Sequence, residues 1–361
     1  MRRVAAALAI SAVASIGVAS ADSRGPRQTP ANQKDQKDLQ TLRSDAIRRA
    51  QVWLPTDVAS KDIYRGPELP GAFEPGATVR CDYVEKKFPG RTPKIACRIG
   101  ADDEVKVKYG WTNGEVFAEV AATRLLWALG FPTDRMYPVK VICHGCPETM
   151  TGVRKVDGDL LLDPVAIERK HPGWDLGIGW SWKELDEVSD EDGGAPRAHR
   201  DALKLLAAFM QHTDSKANQQ ALVCAGEKPD GPCERPLMMI ADLGKTFGRA
   251  SRSNADTPSS MNLRAWSETP VWTMEQGCVA NLPRSYSGTL KNPVISEQGR
   301  AFLAKLLMQL SDKQLEDLFT VARVQLRPRW PDSGRSGFPT TQEWVDAFKA
   351  KRAEIAGRTC A

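Results

Sequence analysis

Eight cysteines constrain the fold of this chain more than any other feature. All of them follow an N-terminal segment that opens Met1-Arg2-Arg3 and runs apolar to about Ala19. Ala19-Ser20-Ala21 has small residues at the spacing of a signal-peptidase site, so we expect residues 1–21 to be a secretory signal. An even number of cysteines in an exported chain indicates disulfide bonds. We therefore expect a disulfide-bonded protein in the periplasm or outside the cell.

Sequence separation favours particular pairings among the many that eight cysteines allow. Cys143 and Cys146 could instead serve metal or redox chemistry, but a haem site needs a His after the second Cys. A redox pair would need a βαβ context, which the surrounding sequence does not show, so a structural disulfide is favoured there. The favoured pairs are Cys81–Cys97, Cys143–Cys146 and Cys224–Cys233, which leaves Cys278–Cys360.

Charge and hydropathy exclude two classes of protein. The net charge of +5 falls to +3 without Arg2 and Arg3, and no basic run resembles a nucleic-acid-binding arm. After the signal, no stretch is long and apolar enough to span a bilayer. The length suits one two-lobed domain or two smaller ones. We expect no nucleic-acid partner and no transmembrane segment.

The pattern along the chain predicts an α+β protein. Residues 22–75 read as a linker and irregular extension, with a disordered part over 22–40 and a short helix over 41–53. Thr112-x-x-Glu115 reads as a capping box before a long helix, and residues 151–198 read as surface loops and short helices. The clearest predicted elements before residue 150 are strands Thr78–Val84, Lys94–Ile99, Glu104–Tyr109 and Tyr137–Cys143, and helix Gly114–Leu129.

Two aspartates lie just beyond apolar elements in the second half of the chain. Asp214 follows a predicted helix that ends near Gln211, and Asp242 ends the apolar run Leu237–Ala241. A carboxylate at the end of a buried strand is costly unless it is paired or binds metal. The alternative for the Asp214 segment is an ordinary Asp/Asn turn. His199-Arg200-Asp201 also contains an aspartate, which we interpret as a first-turn acid favoured by the helix dipole.

Candidate partners for these aspartates come from the β-rich part of the chain. Lys106 and Lys108 project from one face of the predicted strand Glu104–Tyr109, because side chains alternate along a strand. Lys108, nearer the strand end, is the first candidate for a site lysine and Lys106 the second; the alternative is a solvated edge strand. Glu119 lies among apolar residues of the helix, so its carboxylate needs a partner. An exposed helix glutamate is the alternative.

These segments resemble the secreted atypical kinases. The best match is Ala118-Glu119-Val120-Ala121-Ala122 continuing through Leu125 to Phe131, which looks like helix C of that family and its glycine-terminated exit. The families are the Fam20-like kinases and the spore-coat CotH kinases, and more distantly the phosphoinositide kinases and HipA toxins. The resemblance implies a disulfide-bonded, two-lobed protein-kinase-like fold. Its small β-rich N-lobe, with one helix, would span 76–150, and its larger, mainly helical C-lobe would span 151–361.

The resemblance also implies a function and site roles. It implies transfer of the γ-phosphate of ATP, with Mg²⁺ or Mn²⁺, to a hydroxyl of a protein Ser/Thr, a sugar or a small molecule. Lys108 or Lys106 would contact phosphates beside Glu119, and Asp214 would orient the acceptor with Lys216 nearby. Asp242 would bind metal with either Asn218 or Gln219, because the family has an asparagine five residues after its aspartate and here Asn218 is four residues on.

Three alternatives remain at the level of sequence. The same fold could bind without catalysis, as a pseudokinase of the cell envelope, or it could transfer an adenylyl group. The ten tryptophans could instead mark a carbohydrate- or envelope-binding module. Their scattered positions make that less favoured, because tryptophan more often serves packing.

Overall fold

The structure is a computed structural model that describes residues 33–360 with internal gaps. The gaps are 91, 151–152, 178, 227–231, 250–259, 275–276, 284–287 and 328–336, and the predicted signal over 1–21 lies outside the described residues. The helices are α1 (Gln33–Arg48), α2 (Glu115–Leu129), α3 (Arg197–Phe209), α4 (Leu263–Ser267), α5 (Glu297–Met308), α6 (Asp312–Val321) and α7 (Thr341–Ala356). The strands are β1 (Thr78–Val84), β2 (Lys94–Arg98), β3 (Glu104–Tyr109), β4 (Arg135–His144), β5 (Arg154–Val156), β6 (Asp159–Arg169), β7 (Trp174–Asp175), β8 (Gln220–Cys224) and β9 (Pro236–Ile240).

Five strands close into a barrel. They run in the order β3-β2-β1-β4-β6, and β6 pairs back with β3, while β5 extends the sheet from β6. Alternate residues point inward and form one apolar cluster, which includes Val107 of β3, Val141 of β4 and Ile167 of β6. A register shift between Val139 and Val141 interrupts the β4–β6 pairing. Such irregularities bend a strand, which helps a small barrel to close.

The closed barrel shows that the predicted two-lobed kinase-like fold is wrong. We expected a small β-rich lobe with one helix that ended near residue 150, and loops and short helices over 151–198. Instead the eleven-residue strand β6 lies in that segment and completes the barrel, and the described residues contain seven helices. Asp163 and Pro164 interrupt the apolar pattern of β6. The strand was not predicted because proline usually argues against the interior of a strand. The helix predicted over 41–53 also begins earlier, at Gln33.

Helix α2 is buried on all sides. Fourteen of its fifteen residues are buried, so the charged residues that it carries need partners inside the protein. Its N-cap is Gly114, which has no side chain that could cap the helix. The capping box predicted at Thr112 and Glu115 is therefore wrong: Asn113 Oδ1 accepts from the Glu115 N–H at 3.1 Å instead. This leaves the Glu115 carboxylate available for other contacts.

The second part of the chain places a strand hairpin beside a helical layer. Strands β8 and β9 are antiparallel, and Gln220 at the start of β8 pairs with Ile240 at the end of β9. Helix α3 contacts α5, which in turn contacts α7. Asp201 lies in the middle of α3, not in its first turn, and accepts from the Ser296 N–H at 3.1 Å. Our dipole interpretation of Asp201 is thus replaced by a structural one: its carboxylate joins α3 to the start of α5.

Four disulfides cross-link the described residues, and they are the four pairs that sequence separation favoured. They join Cys81 to Cys97, Cys143 to Cys146, Cys224 to Cys233 and Cys278 to Cys360. The first connects barrel strands β1 and β2, and the last ties the chain end after α7 to a loop 82 residues earlier. Disulfides of this number are compatible with an oxidising compartment. None of the helices in the described ranges has the length and apolar character needed to cross a bilayer.

The Cys278–Cys360 disulfide should contribute more stability than the Cys143–Cys146 disulfide. The two bridges span 82 and 3 residues of sequence. Chain entropy predicts a loss of about 4–5 kcal/mol for the first and about 1–2 kcal/mol for the second when each pair is replaced by serine. Urea unfolding of the two double variants measures the difference. Equal losses would show that the long bridge does not act through the unfolded chain.

Candidate functional site

Lys108 places a buried ammonium group between the barrel and α2. Val105 and Val107 of β3 fill the barrel interior, so the alternating residue Lys108 points outward, where it contacts α2. The lysine side chain is 1% exposed. Its Nζ lies 2.5 Å from Glu119 Oε1 and 3.0 Å from Glu115 Oε2. The ion pair expected between Lys108 and Glu119 on the basis of sequence is thus present as a contact.

A third carboxylate approaches the same ammonium from the segment after β9. Asp242 Oδ2 lies 3.8 Å from Lys108 Nζ, and Asp242 Oδ1 accepts from the Gly244 N–H at 3.0 Å. The Asp242 side chain is 30% exposed, whereas Glu119 is 3% exposed. Asp242 therefore lies where the buried cluster meets solvent.

Lys106, the second choice for the site lysine, has a different partner. Its Nζ forms an ion pair with Glu168, directly opposite in the β3–β6 pairing. Glu168 also contacts Lys170 Nζ at 2.8 Å. The pairing between β3 and β6 therefore engages Lys106 away from Glu119 and leaves Lys108 as the lysine of the cluster.

Backbone hydrogen bonds hold the Asp214 segment beside the Asp242 segment. The Thr213 N–H donates to Lys245 C=O at 3.1 Å, and the Asp242 N–H donates to Gln219 C=O at 3.1 Å. Both segments lie at the same end of the β8–β9 hairpin, because the start of β8 pairs with the end of β9. The two segments that carry the aspartates therefore lie side by side.

The surroundings of Asp214 distinguish Gln219 from Asn218. Gln219 Nε2 donates to Asp214 Oδ2 at 3.0 Å, and Lys216 Nζ lies 3.2 Å from Asp214 Oδ1. Gln219 is half-buried, and Asn218 is exposed on a short 3-10 helix that spans Ala217–Gln219. The amide that the structure draws into this cluster is that of Gln219.

The charges in the cluster shift several pKa values. Desolvation alone would favour neutral Lys108, but the carboxylates, Asp242 foremost, raise the pKa of Lys108 well above its ordinary value. Burial raises the pKa of Glu119, although the Lys108 ammonium acts in the opposite direction. The pKa of Asp242 is lowered despite desolvation, chiefly by the Lys108 ammonium. One cation thus holds at least one ionised carboxylate in the protein interior.

His212 lies buried next to the two aspartates. Burial lowers its pKa to about 4, and the negative charges of Asp242 and Asp214 act in the opposite direction. Neither ring nitrogen has a hydrogen-bond partner, and the ring lies 6.3 Å from that of Trp182. The imidazole is therefore neutral at neutral pH and supports the Asp214 segment as a packed group.

Sequence reasoning missed several members of the cluster. Glu115 was assigned to a cap, yet it contacts Lys108, and its Oε2 accepts from Thr92 Oγ1 at 3.0 Å. Lys245 Nζ lies 3.6 Å from Glu115 Oε1. Lys94 is paired with Lys108 across β2 and β3, and burial together with the Lys108 charge lowers the pKa of Lys94. An antiparallel pairing of the two predicted strands would have placed Lys94 opposite Lys108, and this was the signal that could have identified Lys94.

The cluster fits a divalent cation accompanied by phosphate. Mg²⁺ is usually bound by one or two carboxylates together with water and substrate phosphates. Asp242 offers a partly exposed carboxylate, and the buried Oε2 of Glu119 has no hydrogen-bond donor. Within the described residues, the one group of three close metal-ligand side chains is Cys81, Cys97 and Cys143, all in disulfides. A cation here would therefore need oxygen ligands from its substrate.

Comparisons with known proteins include a distant structural similarity. No protein-family model and no curated protein matches the chain. The structure is similar to the crystal structure of a Helicobacter pylori proinflammatory kinase, CtkA, with a TM-score of 0.41 and 9% sequence identity. The alignment covers 78% of this chain and 95% of that one. The assignment of function therefore rests on the geometry of the site.

Replacing Lys108 by Met should destabilise the protein far more than replacing Lys106 by Met. Loss of the ammonium leaves Glu119 buried without its cation and leaves Glu115 with Lys245 alone, at a cost of about 3–5 kcal/mol. In the Lys106→Met control, Glu168 keeps Lys170. The Lys108 ammonium opposes the rise that burial causes in the pKa of Glu119, so its removal should raise that pKa further. The variant then gains more stability than wild type from protonation of Glu119 as pH falls, and the Lys108→Met deficit should shrink toward acid pH. Urea unfolding at several pH values tests this, and equal, pH-independent deficits in both variants would contradict it.

Neutral His212 should make the protein acid-sensitive. The unfolded chain binds a proton on this imidazole at its ordinary pKa of 6.5, whereas the folded chain binds it near 4. Stability therefore falls as pH drops from about 6.5 to about 4, by up to about 3 kcal/mol from this group. The His212→Phe variant should lose less stability than wild type over that interval. Parallel stability–pH curves for the two proteins would refute this role of His212.

Proposed function

We propose that this protein is a metal- and nucleotide-dependent phosphotransferase that acts on a hydroxyl group. One observation carries the proposal: the buried Lys108 ammonium lies among Glu119, Glu115 and the partly exposed Asp242. The hydrogen bonds that join the Asp214 and Asp242 segments support a role for both aspartates in one reaction. Phosphoryl transfer is governed by positioning and charge, which such a cluster supplies.

The lysines would bind the phosphates of ATP. Lys108 is held in place by Glu119, so its ammonium would be presented with little loss of conformational entropy. Lys94, opposite Lys108 on the neighbouring strand, would add a second positive charge. The pKa of Lys94 is lowered by burial and by the Lys108 charge, and the negative charge of a bound phosphate would raise it again.

Asp242 would hold Mg²⁺ or Mn²⁺, with the amide oxygen of Gln219 as a second protein ligand. The cation would neutralise charge on the phosphates when it is bound. Asp214 would orient the acceptor hydroxyl and take its proton. The acceptor oxygen bonds to the terminal phosphorus as the bond from that phosphorus to the bridging oxygen breaks, and a nucleoside diphosphate leaves. Lys216 Nζ, 3.2 Å from Asp214 Oδ1, would help to orient that carboxylate toward the acceptor.

The setting of this reaction would be outside the cytoplasm. The predicted signal over residues 1–21 and the four disulfides support an exported protein in the periplasm or outside the cell. The acceptor would then be a Ser/Thr side chain, a sugar or a small molecule met in that compartment.

A nucleotide-binding protein without catalysis is the second candidate. Both carboxylate oxygens of Asp214 have protein partners, Lys216 and Gln219. A catalytic base must reach the acceptor proton, so one of these contacts would have to open during the reaction. If neither opens, the site would bind nucleotide and hold it.

The first test is nucleotide binding and turnover by the purified, disulfide-intact chain. Titration calorimetry with ATP and Mg²⁺ or Mn²⁺ should show binding that Asp242→Asn weakens at least tenfold. Release of ADP and labelling of the protein itself measure transfer. Asp214→Asn should lower this turnover by about 10²–10⁴-fold because it removes the proton acceptor, and it should leave the Kd for ATP nearly unchanged.

Gln219→Ala and Asn218→Ala provide a matched pair of variants. Gln219→Ala should raise the metal concentration needed for half-maximal binding of ATP, and Asn218→Ala should not, because Asn218 is exposed. Binding without turnover in wild type would favour the second candidate. Absence of ATP binding with either metal would refute both.

A further inference from the structure

A cavity lies beside the second half of α2, and none of the residues of the Lys108 cluster lines it. We name it the α2–β4 pocket; its volume is about 180 Å³. Its walls come from the second half of α2, the turn that leads from α2 into β4, the segment after α1 and the residues after β6. The residues that matter most are Thr123, Arg124, Trp127 and Met136.

The residues that line this pocket carry several buried polar atoms without hydrogen-bond partners. Among the described residues, sixteen buried side-chain nitrogen or oxygen atoms have no hydrogen-bond partner, and six of them belong to residues that line it. Buried polar groups are normally satisfied, so these atoms need an explanation. The atoms are Thr56 Oγ1, Thr123 Oγ1, Nε and Nη2 of Arg124, Arg135 Nε and His171 Nδ1.

Arg124 contributes a buried positive charge. Asp62, outside the pocket lining, acts on it electrostatically, and none of the described residues that line the pocket pairs a carboxylate with it. The residue is 1% exposed, and its guanidinium lies 5.3 Å from the Tyr137 ring centroid. It also packs closely on Gly66, where a Cβ would fall 0.9 Å from its Nη1. The one acid that lines the pocket, Asp134, already accepts from Lys170 Nζ and from the His171 N–H. Burial lowers the pKa of Arg124 to about 10, so it stays charged at neutral pH.

Most of the remaining wall of the pocket is apolar, although Lys61 also lines it, with its Nζ 4.9 Å from the Trp127 ring centroid. Trp127, Phe131, Met136, Leu54 and Leu69 form most of it. A cavity of about 150 Å³ holds benzene, so this one has room for a ring or branched chain of about six to ten non-hydrogen atoms. The pocket thus combines one buried cation with an apolar body.

We propose that the α2–β4 pocket binds a small amphipathic carboxylate. Its carboxylate would accept hydrogen bonds from Arg124 and Thr123, and its apolar part would pack against Trp127 and Met136. Charge-assisted hydrogen bonds to a buried guanidinium supply orientation, and the apolar wall supplies burial. This inference does not depend on the phosphotransferase proposal, because its residues are separate from the Lys108 cluster.

The experiment uses the whole disulfide-intact chain and three probes, hexanoate, 4-methylpentanoate and 3-phenylpropionate. Titration calorimetry and ligand-observed NMR should show binding of at least one carboxylate, and its neutral carboxamide should bind at least tenfold more weakly. Arg124→Gln should weaken binding at least tenfold, and Thr123→Val about three- to tenfold. Arg323→Gln is the control, because Arg323 is also an arginine with an unpartnered Nε but lies outside the pocket, where its other nitrogens donate to Val139 C=O and Val165 C=O.

Leu54→Trp provides an arm that does not depend on the stability of Arg124→Gln. Leu54 is 40% exposed at the rim, so a larger side chain can fill the pocket without disturbing the core, and binding should be lost. Circular dichroism checks that each variant is folded. The proposal is overturned if no carboxylate binds, if carboxylate and carboxamide bind equally, or if Thr123→Val and Leu54→Trp both bind as wild type.

Discussion

The buried ammonium of Lys108 is the interaction on which the arrangement of the site depends. It joins three elements that are far apart in sequence: β3 of the barrel, α2, and the segment after β9. A buried charge is strongly unfavourable unless an opposite charge compensates it. If one of these elements moved away, a buried charge on another would lose its partner and the protein would lose stability. Glu119 and Glu115 hold Lys108 from one side, which leaves Asp242 as the carboxylate with access to solvent. The glutamates therefore contact the buried ammonium, and the aspartate is the member of the cluster that solvent reaches.

The closed barrel determines which lysine can serve the site. Lys106 and Lys108 lie on the same face of β3, and both were candidates for the site lysine from sequence, with Lys108 preferred. Strand β6 pairs with β3 and places Glu168 opposite Lys106, so the charge of that lysine is balanced by an ion pair within the barrel wall. Lys108 lies one step further along the strand, where α2 brings Glu119 to it. A single strand pairing therefore separates a structural ion pair from the candidate phosphate-binding lysine.

Helix α2 links the two regions of interest in the molecule. Its first turns carry Glu115 and Glu119 to the Lys108 cluster, and its later turns carry Thr123 and Arg124 to the α2–β4 pocket. Because the helix is buried almost completely, each of these polar residues must find a partner inside the protein. The glutamates find Lys108 and Lys245, whereas the guanidinium of Arg124 packs on Tyr137 and Gly66 with two of its nitrogens unpartnered. The same burial that fixes the first site leaves the second with unmet hydrogen-bonding capacity.

The sequence by itself determined the local features of this protein. Alternation of apolar residues located β1 and β3, a glycine marked the end of α2, and separation along the chain predicted the four disulfides, because each of these signals arises from neighbouring residues. The tertiary structure alone decided the rest. Asp163 and Pro164 break the apolar pattern of β6, so the sequence did not predict this strand. Its pairing with β3 and β4 closes the barrel that is found in place of the expected two-lobed fold. The ion pair that engages Lys106 with Glu168, the contact of Asp214 with Gln219 and not with the exposed Asn218, and the contacts of Glu115 depend on groups remote in sequence. No local pattern encodes the distance between such groups.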